Sequence, residues 1–280
     1  MASWLESSGA SPELAFHFRL AATFPRNGRA GALSEISIGP ASGSDTKFPW
    51  NMYNTPVSIK DNWLAFRERL EKAANKYGCN PSEIAIMAVS KSRSIEEVLE
   101  ASACGFFLFG ENRIEEACDK FSAAENLGLY LIGHLQSRKV GRIDERFAGV
   151  HSVDSLRIAM RLSRRARENG KALEILLQVN TSGEEAKSGF SDYSSFVETA
   201  AEISQLPFLT LRGLMTMAPL TNNESVVRSC FSKCRRWSEG IADIIDGRVS
   251  LSMGMSSDFH WAIAEGSNLL RIGGAIFDGR

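Results

Sequence analysis

A lysine stands directly behind a strand-sized apolar run near residue 90. Residues 85–89 (AIMAV) are apolar, Ser90 and Lys91 follow, and residues 94–97 (SIEE) form a capping-box pattern that opens a helix. A lysine at this junction lies at the mouth of a core, where partial desolvation favours a neutral amine that forms a Schiff base with a carbonyl group. A solvated lysine just past the strand end is the alternative, and this pattern alone does not separate the two.

Two glycine-bearing turns near the end of the chain have the composition of a phosphate cradle. Residues 252–258 (SMGMSSD) run into a helix and offer backbone N–H groups, serine hydroxyls and a glycine that permits close approach. Residues 271–274 (RIGG) provide a second such turn, and a helix cap with a tight corner is the alternative explanation. An amine for an aldehyde, opposite a cradle for a phosphate, favours pyridoxal 5'-phosphate as a cofactor.

The chain lacks the sequence patterns of common hydrolases and metalloenzymes. It contains no G-x-S-x-G, no H-E-x-x-H and no carboxylate cluster spaced for metal or glycoside chemistry. His134 and His151 are separate, so we expect each to be a hydrogen-bonded core or rim residue. Five cysteines without a C-x-x-C pattern indicate a reduced, cytoplasmic protein. We expect Cys230 and Cys234, one helical turn apart, to be small buried hydrophobes instead of a redox or metal pair.

The elements that must position these residues alternate regularly from about residue 59. A first helix carries Trp63, Phe66 and Leu70 on one stripe, and it stops at Gly78. Eight near-continuous apolar runs then alternate with helix-periodic segments, which predicts an α/β fold, a single (β/α)8 TIM barrel. A doubly wound open sheet is the alternative, but it normally has a glycine-rich turn after its first strand, and AVSKSRS contains no such turn. The predicted helices span residues 59–77, 95–103, 114–125, 139–145, 156–169, 193–205, 225–246 and 259–264.

In such a barrel the carboxyl ends of all strands meet at one face, where active sites lie. The residues that end the predicted strands are therefore expected to converge on one site. They are Lys91, Asn112, His134, Gln136, Asp154, Asn180, Met215, Met217, residues 252–257 and residues 271–274.

Composition argues against two classes of partner. The 280 residues include 44% hydrophobic and 23% charged side chains with a formal net charge of -1, so neither nucleic acid nor an anionic membrane is expected to bind. The apolar runs are far shorter than the roughly 20 residues that span a bilayer. The arginine-rich helix at 156–169 is expected to present a solvated face, with a nucleic-acid or protein scaffold as the alternative. Its buried stripe is predicted to be Leu156, Ala159, Met160 and Ala166.

The first 51 residues differ from the rest of the chain. They are rich in serine, alanine and glycine and show no sustained period, and acidic residues balance their basic ones, unlike those of a transit peptide. We expect residues 1–51 to be a disordered or loosely packed extension and residues 52–280 to form the barrel. Translation that begins at Met52 is an alternative.

Seven motifs, in chain order, resemble the pyridoxal phosphate homeostasis protein family. They are AVSKSRS, FGEN, IGHLQSRK, LLQVNTSGEEAKSGF, RGLMTMAP, LSMGMSSDFHWAI and RIGGAIFDGR. The resemblance implies a single-domain barrel similar to the N-terminal domain of alanine racemase, with the cofactor bound to Lys91. The other positions that it implies are Asn112 lining the cofactor, Ser256 with the Met255 backbone and the turn at Gly273 and Gly274 contacting the phosphate, Arg271 facing the pyridine nitrogen, and Lys187 near the mouth.

Three positions depart from the family pattern. The family usually has threonine where Gly274 stands, so one hydroxyl that could bind phosphate is missing. It commonly has asparagine where Arg138 stands and a small residue where Asp278 stands. The first departure predicts weaker cofactor binding unless closer backbone approach offsets it, and we expect Asp278 to point away from the phosphate.

Two functions compete on this resemblance. An amino-acid racemase needs a second acid/base group opposite the lysine, which in alanine racemases is a tyrosine of a second, β-rich domain. We expect none here, because nine residues follow Arg271 and none of the four tyrosines ends a predicted strand. A permanently cationic arginine also leaves the ring nitrogen unprotonated, which makes the cofactor a weak electron sink. The resemblance thus implies a monomeric, non-catalytic carrier that passes pyridoxal phosphate to apo-enzymes in vitamin B6 and amino-acid homeostasis, with a racemase-type enzyme as the alternative.

Overall fold

The computed structural model describes residues 58–124, 126–184 and 188–280. In this part of the chain eight parallel strands close into a barrel, and β8 (Leu269–Ile272) pairs with β1 (Ala85–Val89). The predicted TIM barrel is confirmed, whereas the extension predicted for residues 1–51 lies outside the described residues. The strands between are β2 (Leu108–Glu111), β3 (Gly128–Leu131), β4 (Phe147–Val153), β5 (Leu173–Gln178), β6 (Leu209–Met215) and β7 (Ser250–Ser252).

Polar side chains cap most of the longer helices and explain where they begin. Ser94 accepts a hydrogen bond from the backbone N–H of Glu97, and the Glu97 carboxylate accepts one from the N–H of Ser94, so the predicted capping box is confirmed. Ser58, Ser155 and Asp192 cap their helices in the same sense. The α-helices are α1 (Ile59–Lys76), α2 (Ile95–Ala103), α3 (Ile114–Lys120), α4 (Leu156–Glu168), α5 (Tyr193–Ser204), α6 (Glu224–Glu239), α7 (Phe259–Ala264) and α8 (Gly274–Phe277).

Three predicted helices differ from the observed ones. The segment predicted as a helix at 139–145 is a 3-10 helix, Ser137–Arg142, and Gly141 within it disfavours an α-helix. Helix α3 ends at Lys120 and continues as a 3-10 turn, Phe121–Ala123. Helix α6 ends at Glu239, before Gly240, and not at residue 246.

The buried stripe predicted for α4 was partly wrong. Ala159 and Ala166 are buried as expected, but Met160 is 55% exposed and Leu156 is only half-buried. The helix buries Ile158 and Leu162 instead, which recur at the four-residue spacing of one helical face. Met160 therefore lies on the arginine-bearing side of the helix.

Alternate residues of each strand face two different apolar layers. Ile86 and Ala88 belong to the large cluster between the sheet and the helices, which also contains Phe66 of α1. Ala85 and Met87 belong to a smaller cluster contributed by strands, which fills the barrel interior. Burial of each large apolar side chain stabilises the fold by about 1.5–3 kcal/mol. None of the described helices has the length and apolar character that a membrane crossing requires.

Candidate functional site

The alternation along β1 directs Lys91 toward the barrel mouth. Ala85 and Met87 face the interior and Val89 packs against the same cluster, so the next residue of this set is Lys91. The strand ends at Val89, and Lys91 is exposed. Of the two alternatives for this lysine, the structure shows the solvated one, because the chain has already left the packed interior at this point. Among the described residues Lys91 makes no hydrogen bond or ion pair.

A buried lysine holds the residue that precedes Lys91. The Nζ atom of Lys120 donates hydrogen bonds to the carbonyl oxygen of Ser90 at 2.6 Å and to Glu111 Oε1 at 2.7 Å. The hydroxyl of Ser90 donates to the same Glu111 oxygen at 2.7 Å. The Glu111 side chain is fully buried and that of Lys120 is 8% exposed, so this ion pair is shielded from water.

The residue that follows Lys91 is held by the same group of charges. The backbone N–H of Ser92 donates to Glu116 Oε1 at 2.5 Å, and the Nζ atom of Lys120 lies 2.9 Å from that oxygen. Ser92 has φ = 59°, in the left-handed region that a non-glycine residue adopts only when its surroundings enforce it. We call Lys120, Glu111 and Glu116 the lysine clamp, because together they hold both neighbours of Lys91.

The charge state of the clamp depends on opposing effects at Glu111. Burial raises the pKa of this carboxyl, while the hydrogen bonds from Lys120 and Ser90 lower it in part. Its Oε2 atom is buried and has no hydrogen-bond partner among the described residues. The clamp was not predicted from the sequence. Two features could have indicated it: an acidic residue inside the buried motif FGEN, and the four-residue spacing of Glu116 and Lys120.

The two glycine-bearing turns meet beside the end of β1. The hydroxyl of Ser256 accepts a hydrogen bond from the backbone N–H of Ala275 at 3.2 Å, which joins the turn after β7 to the turn after β8. A Cβ atom at Gly273 would lie 3.3 Å from the carbonyl oxygen of Val89, so glycine allows this backbone to approach β1 closely. An added Cβ at Gly274 would be in ordinary contact with Asp278 Oδ2, 3.7 Å away. Ser256, Gly273 and Gly274 are thus brought together, as predicted.

The backbone N–H of Met255 is used within its own turn. It donates a hydrogen bond to Asp258 Oδ1 at 2.6 Å. Burial raises the pKa of Asp258, and this hydrogen bond and the charge of Arg271 lower it in part. A phosphate contact from this N–H, as predicted, would require Asp258 to release it.

Arg271 lies inside the barrel and is 4% exposed. Its Nη1 atom donates to the carbonyl oxygen and the hydroxyl of Ser252, at 2.5 and 2.8 Å, and its Nη2 atom donates to the carbonyl oxygen of Thr216 at 2.9 Å. Burial lowers its pKa to about 10, although the nearby Asp258 carboxylate opposes this. The guanidinium therefore stays cationic at neutral pH, and its partners fix it to the ends of β6 and β7.

Asn112 follows β2 at the same face of the barrel. It continues the inward set that contains Gly110, and it is exposed. A Cβ atom at Gly133 would lie 2.1 Å from the carbonyl oxygen of Asn112, so only glycine lets the chain after β3 pack against this residue. The expected position of Asn112 beside the mouth thus depends on a glycine in the neighbouring connection.

The two histidines have the structural roles that we expected. His134 is at the rim, where its Nδ1 atom lies 3.4 Å from Asp154 Oδ2 and 3.2 Å from the Ser188 hydroxyl. His151 is buried, with Nδ1 3.4 Å from the Ser252 hydroxyl. Burial lowers the pKa of His151 to about 3, with a smaller contribution from the charge of Arg271, so its imidazole is neutral. Neither histidine is placed as an obvious base at the Lys91 turn.

The remaining predicted positions are distributed around the mouth. Arg138 is exposed, and its Nε atom donates to Gln136. Asp278 forms ion pairs with Arg93 at 2.5 Å and with Arg280 at 2.6 Å, and these hydrogen bonds lower its pKa. The carboxylate is thus engaged by two arginines, and Lys187 lies outside the described residues.

The cysteine pair of α6 is part of the core. Cys230 and Cys234 are both buried, and neither forms a disulfide bond. Burial raises the pKa of Cys234 to about 12, so it stays protonated. No group of three or more potential metal ligands is present within residues 58–124, 126–184 and 188–280. The prediction that these cysteines are core residues is therefore confirmed.

Comparison with known proteins identifies the barrel. The model of the family described as "Alanine racemase, N-terminal domain" matches residues 59–280. Curated relatives include the pyridoxal phosphate homeostasis protein of Vibrio cholerae, which is 40% identical over 230 residues, covering 80% of this chain and 97% of the relative. The chain belongs to the pyridoxal phosphate homeostasis protein family. The member from Escherichia coli K12 is 37% identical over 233 residues, with coverage of 79% and 97%.

Solved structures show the same fold. PipY of Synechococcus elongatus, crystallised with PLP bound, is 32% identical with a TM-score of 0.68, and the match covers 79% of this chain and all of PipY. Alanine racemase from Corynebacterium glutamicum is 16% identical with a TM-score of 0.59, covering 78% of this chain and 59% of the racemase. The family therefore shares its barrel with the racemases, and at this identity the second likeness concerns the fold alone.

Proposed function

We propose that this chain binds pyridoxal 5'-phosphate through a Schiff base at Lys91 and acts as a non-catalytic carrier and regulator in vitamin B6 and amino-acid homeostasis. One observation carries the proposal: the Lys91 turn and the two glycine-bearing turns meet at the carboxyl end of β1. PipY, crystallised with PLP, and the curated relatives named for pyridoxal phosphate homeostasis support it.

The residues at this face fit the cofactor. Lys91 supplies an exposed amine, the Ser256 hydroxyl lies at the β8 turn, and Gly273 brings its backbone close to β1 without a side chain in the way. When bound, pyridoxal 5'-phosphate supplies an aldehyde that reacts with a primary amine, and Lys91 is the amine that the alternation of β1 directs inward.

Arg271 supports a carrier over an enzyme. Its guanidinium is buried, cationic and fixed by Ser252 and Thr216. A cation facing the pyridine nitrogen disfavours protonation of that nitrogen, which makes the ring a weaker electron sink for carbanion chemistry. The residues present therefore favour holding the cofactor over activating it.

The described tyrosines also argue against racemase chemistry. Tyr130 lies inside the barrel, where its hydroxyl donates to Glu174 Oε2 at 2.9 Å. Burial raises its pKa well above that of free tyrosine, so it cannot serve as a base near neutral pH. Tyr193 is on the outer helix α5, where it packs against Trp237. Within the described residues no tyrosine lies at the strand ends around Lys91.

The experiment is an absorbance titration with pyridoxal phosphate followed by borohydride. We expect a new band in the wild type that reduction makes permanent, and its loss in Lys91→Ala. Lys72→Ala, which removes an exposed lysine of α1, is the matched control and should behave as the wild type. An identical permanent product in Lys91→Ala would overturn the assignment. Conversion of L-alanine to D-alanine by the loaded wild type would favour the racemase-type enzyme.

A carrier must also release its cofactor. We propose apo-enzymes that require pyridoxal phosphate as the recipients, and a monomer in the cytoplasm as the working form. The loaded protein should restore activity to such an apo-enzyme at a higher rate than it releases the cofactor into buffer. A parallel dialysis of the loaded protein measures the rate of release. A rate equal to that of release into buffer would indicate storage without directed transfer.

A further inference from the structure

A groove rich in arginine lies between α4 and the 3-10 segment Ser137–Arg142. Its volume is about 620 Å³, and Glu168 is the one acidic side chain in its described lining. The chain as a whole has a formal net charge of -1, so this concentration of positive charge is not a consequence of a basic protein. The lining arginines are Arg138, Arg157, Arg161, Arg164 and Arg165.

The arrangement of these arginines opposes the stability of the helix itself. Arg157, Arg161 and Arg164 are exposed and recur at spacings of four and three residues, which places them on one side of α4. Like charges at these spacings repel and destabilise a helix. Glu168 offsets the charge of only one of these arginines, Arg165, with which it forms an ion pair at 3.2 Å. An anion in the groove would offset the remaining repulsion.

Two of the arginines are held in place by backbone carbonyl groups. Arg161 Nη1 donates to the carbonyl oxygen of Ser137 at 3.2 Å, and Arg165 Nε donates to that of Ile143 at 2.7 Å. These bonds join the two walls of the groove and order the guanidinium groups in advance of binding. Among the described residues Arg157 and Arg164 have no hydrogen bond or ion pair, so their donors are available to a ligand.

A buried hydroxyl adds a further unused donor. Ser137 lines the groove, and its Oγ atom is buried without a hydrogen-bond partner among the described residues. Buried polar atoms in folded proteins are nearly always paired with a protein group, a water molecule or a ligand, and the described residues supply no acceptor for this hydroxyl. Phosphate oxygens accept from both hydroxyl and guanidinium groups.

The dimensions and the apolar lining limit the kind of anion. Arg157 and Arg164 are separated by about 10 Å along the helix axis. This distance exceeds the width of a single phosphate group and matches the length of a short phosphate chain. Leu156 and the 55% exposed Met160 also line the groove and offer an apolar surface for a ring. We propose that this groove binds a nucleoside di- or triphosphate, with its phosphates on the arginines and its base toward Met160.

The groove is separate from the Lys91 site but lies next to the barrel mouth. A second cavity of about 460 Å³ shares Ser137, Arg138 and Arg157 with it and extends to His134 and Asp154, which follow β3 and β4. The 3-10 segment thus forms a wall of the groove and lies beside the rim of the barrel. Nucleotide binding does not depend on the proposed cofactor function.

Equilibrium titrations of the full chain with ATP, inorganic tripolyphosphate, AMP and inorganic phosphate test the proposal in magnesium-free buffer. We expect saturable binding of ATP, weaker binding of tripolyphosphate, and at least about tenfold weaker binding of AMP and phosphate, because these make fewer charge-assisted hydrogen bonds. Arg157→Ala/Arg164→Ala should weaken ATP binding by about tenfold or more. Arg235→Ala/Arg236→Ala removes two exposed arginines of α6 and should leave it unchanged.

Other outcomes overturn the proposal. Equal affinity of wild type and Arg157→Ala/Arg164→Ala would place the anion elsewhere, and loss of binding in Ser256→Ala but not in the arginine variant would place it at the barrel turns. Binding of an oligonucleotide more tightly than ATP would show that the groove recognises a nucleic acid. Retention of helix content by circular dichroism confirms that a loss of binding is not a loss of fold. Absence of saturable ATP binding would also exclude the site.

Discussion

The ammonium group of Lys120 donates a hydrogen bond to the carbonyl oxygen of Ser90 at 2.6 Å, and Ser90 immediately precedes Lys91. Lys120 ends α3, whereas Ser90 follows β1, so a helix three elements later determines the position of the turn. The same ammonium group neutralises the buried Glu111. The proposed cofactor lysine is therefore positioned by a second, buried lysine at the end of α3.

Lys120→Met should destabilise the protein strongly. The substitution leaves Glu111 buried without its counter-charge, and loss of one partner of a buried pair costs about 3–5 kcal/mol. The free energy of unfolding, measured by urea denaturation, should fall by this amount. Lys120→Met/Glu111→Gln should recover much of it, and Lys139→Met, which breaks the more exposed pair with Glu115, should cost at most about 1 kcal/mol. A similar small loss in Lys120→Met would contradict the role of the clamp.

The buried histidine predicts a loss of stability on acidification. The pKa of His151 is about 3 in the folded chain, against 6.5 for free histidine, so between these values the unfolded chain binds a proton that the folded chain does not. The free energy of unfolding should therefore fall as the pH drops below 6.5, with this group contributing up to about 1.4 kcal/mol per pH unit. His151→Gln should make the slope between pH 6.5 and pH 4.5 shallower. Equal slopes in both proteins would show that other groups dominate.

Gly274→Thr should strengthen binding of pyridoxal phosphate. The φ angle of Gly274 is not in the left-handed region, and an added Cβ would have its nearest neighbour, Asp278 Oδ2, at 3.7 Å, so the side chain fits without strain. One added hydrogen bond of about 1 kcal/mol corresponds to an affinity gain of roughly fivefold. Dissociation constants from the absorbance titration measure this, with Gly274→Val as the control of similar shape without the hydroxyl. Equal affinities of the two variants would show that the hydroxyl bonds elsewhere, for example to Asp278.

Arg271→Lys should cost stability although it conserves charge. The two terminal nitrogens of Arg271 reach acceptors on Ser252 and Thr216, and a single ammonium group cannot reproduce that fork. A buried acceptor left unpaired costs about 1–3 kcal/mol, which urea denaturation should detect. Arg248→Lys, at the exposed pair with Glu83, should lie within about 0.5 kcal/mol of the wild type. Borohydride-trapped cofactor on Arg271→Lys would show that Lys91 still reacts.

Local patterns were sufficient to predict the barrel and many of the positions around its mouth. Three predicted features depend only on neighbouring residues, and all three appear in the structure. They are the eight apolar runs, the capping box at Ser94 and the end of α1 before Gly78. Ser256, Gly273 and Gly274 could be placed together because parallel strands of a closed barrel end at one face. The segment 137–142 was mispredicted because apolar periodicity takes no account of Gly141, which disfavours an α-helix.

The sequence by itself determined the order of strands and helices, the residues at the strand ends and the family to which they point, because hydrophobic periodicity, caps and motifs are properties of neighbouring residues. Only the tertiary structure decided what surrounds those residues. The clamp residues Glu111 and Lys120 come from β2 and α3 and hold Ser90, which follows β1. The arginine groove forms where α4 packs beside the segment 137–142. Exposure of Lys91 and Met160 likewise depends on which elements cover them, and periodicity does not carry that information.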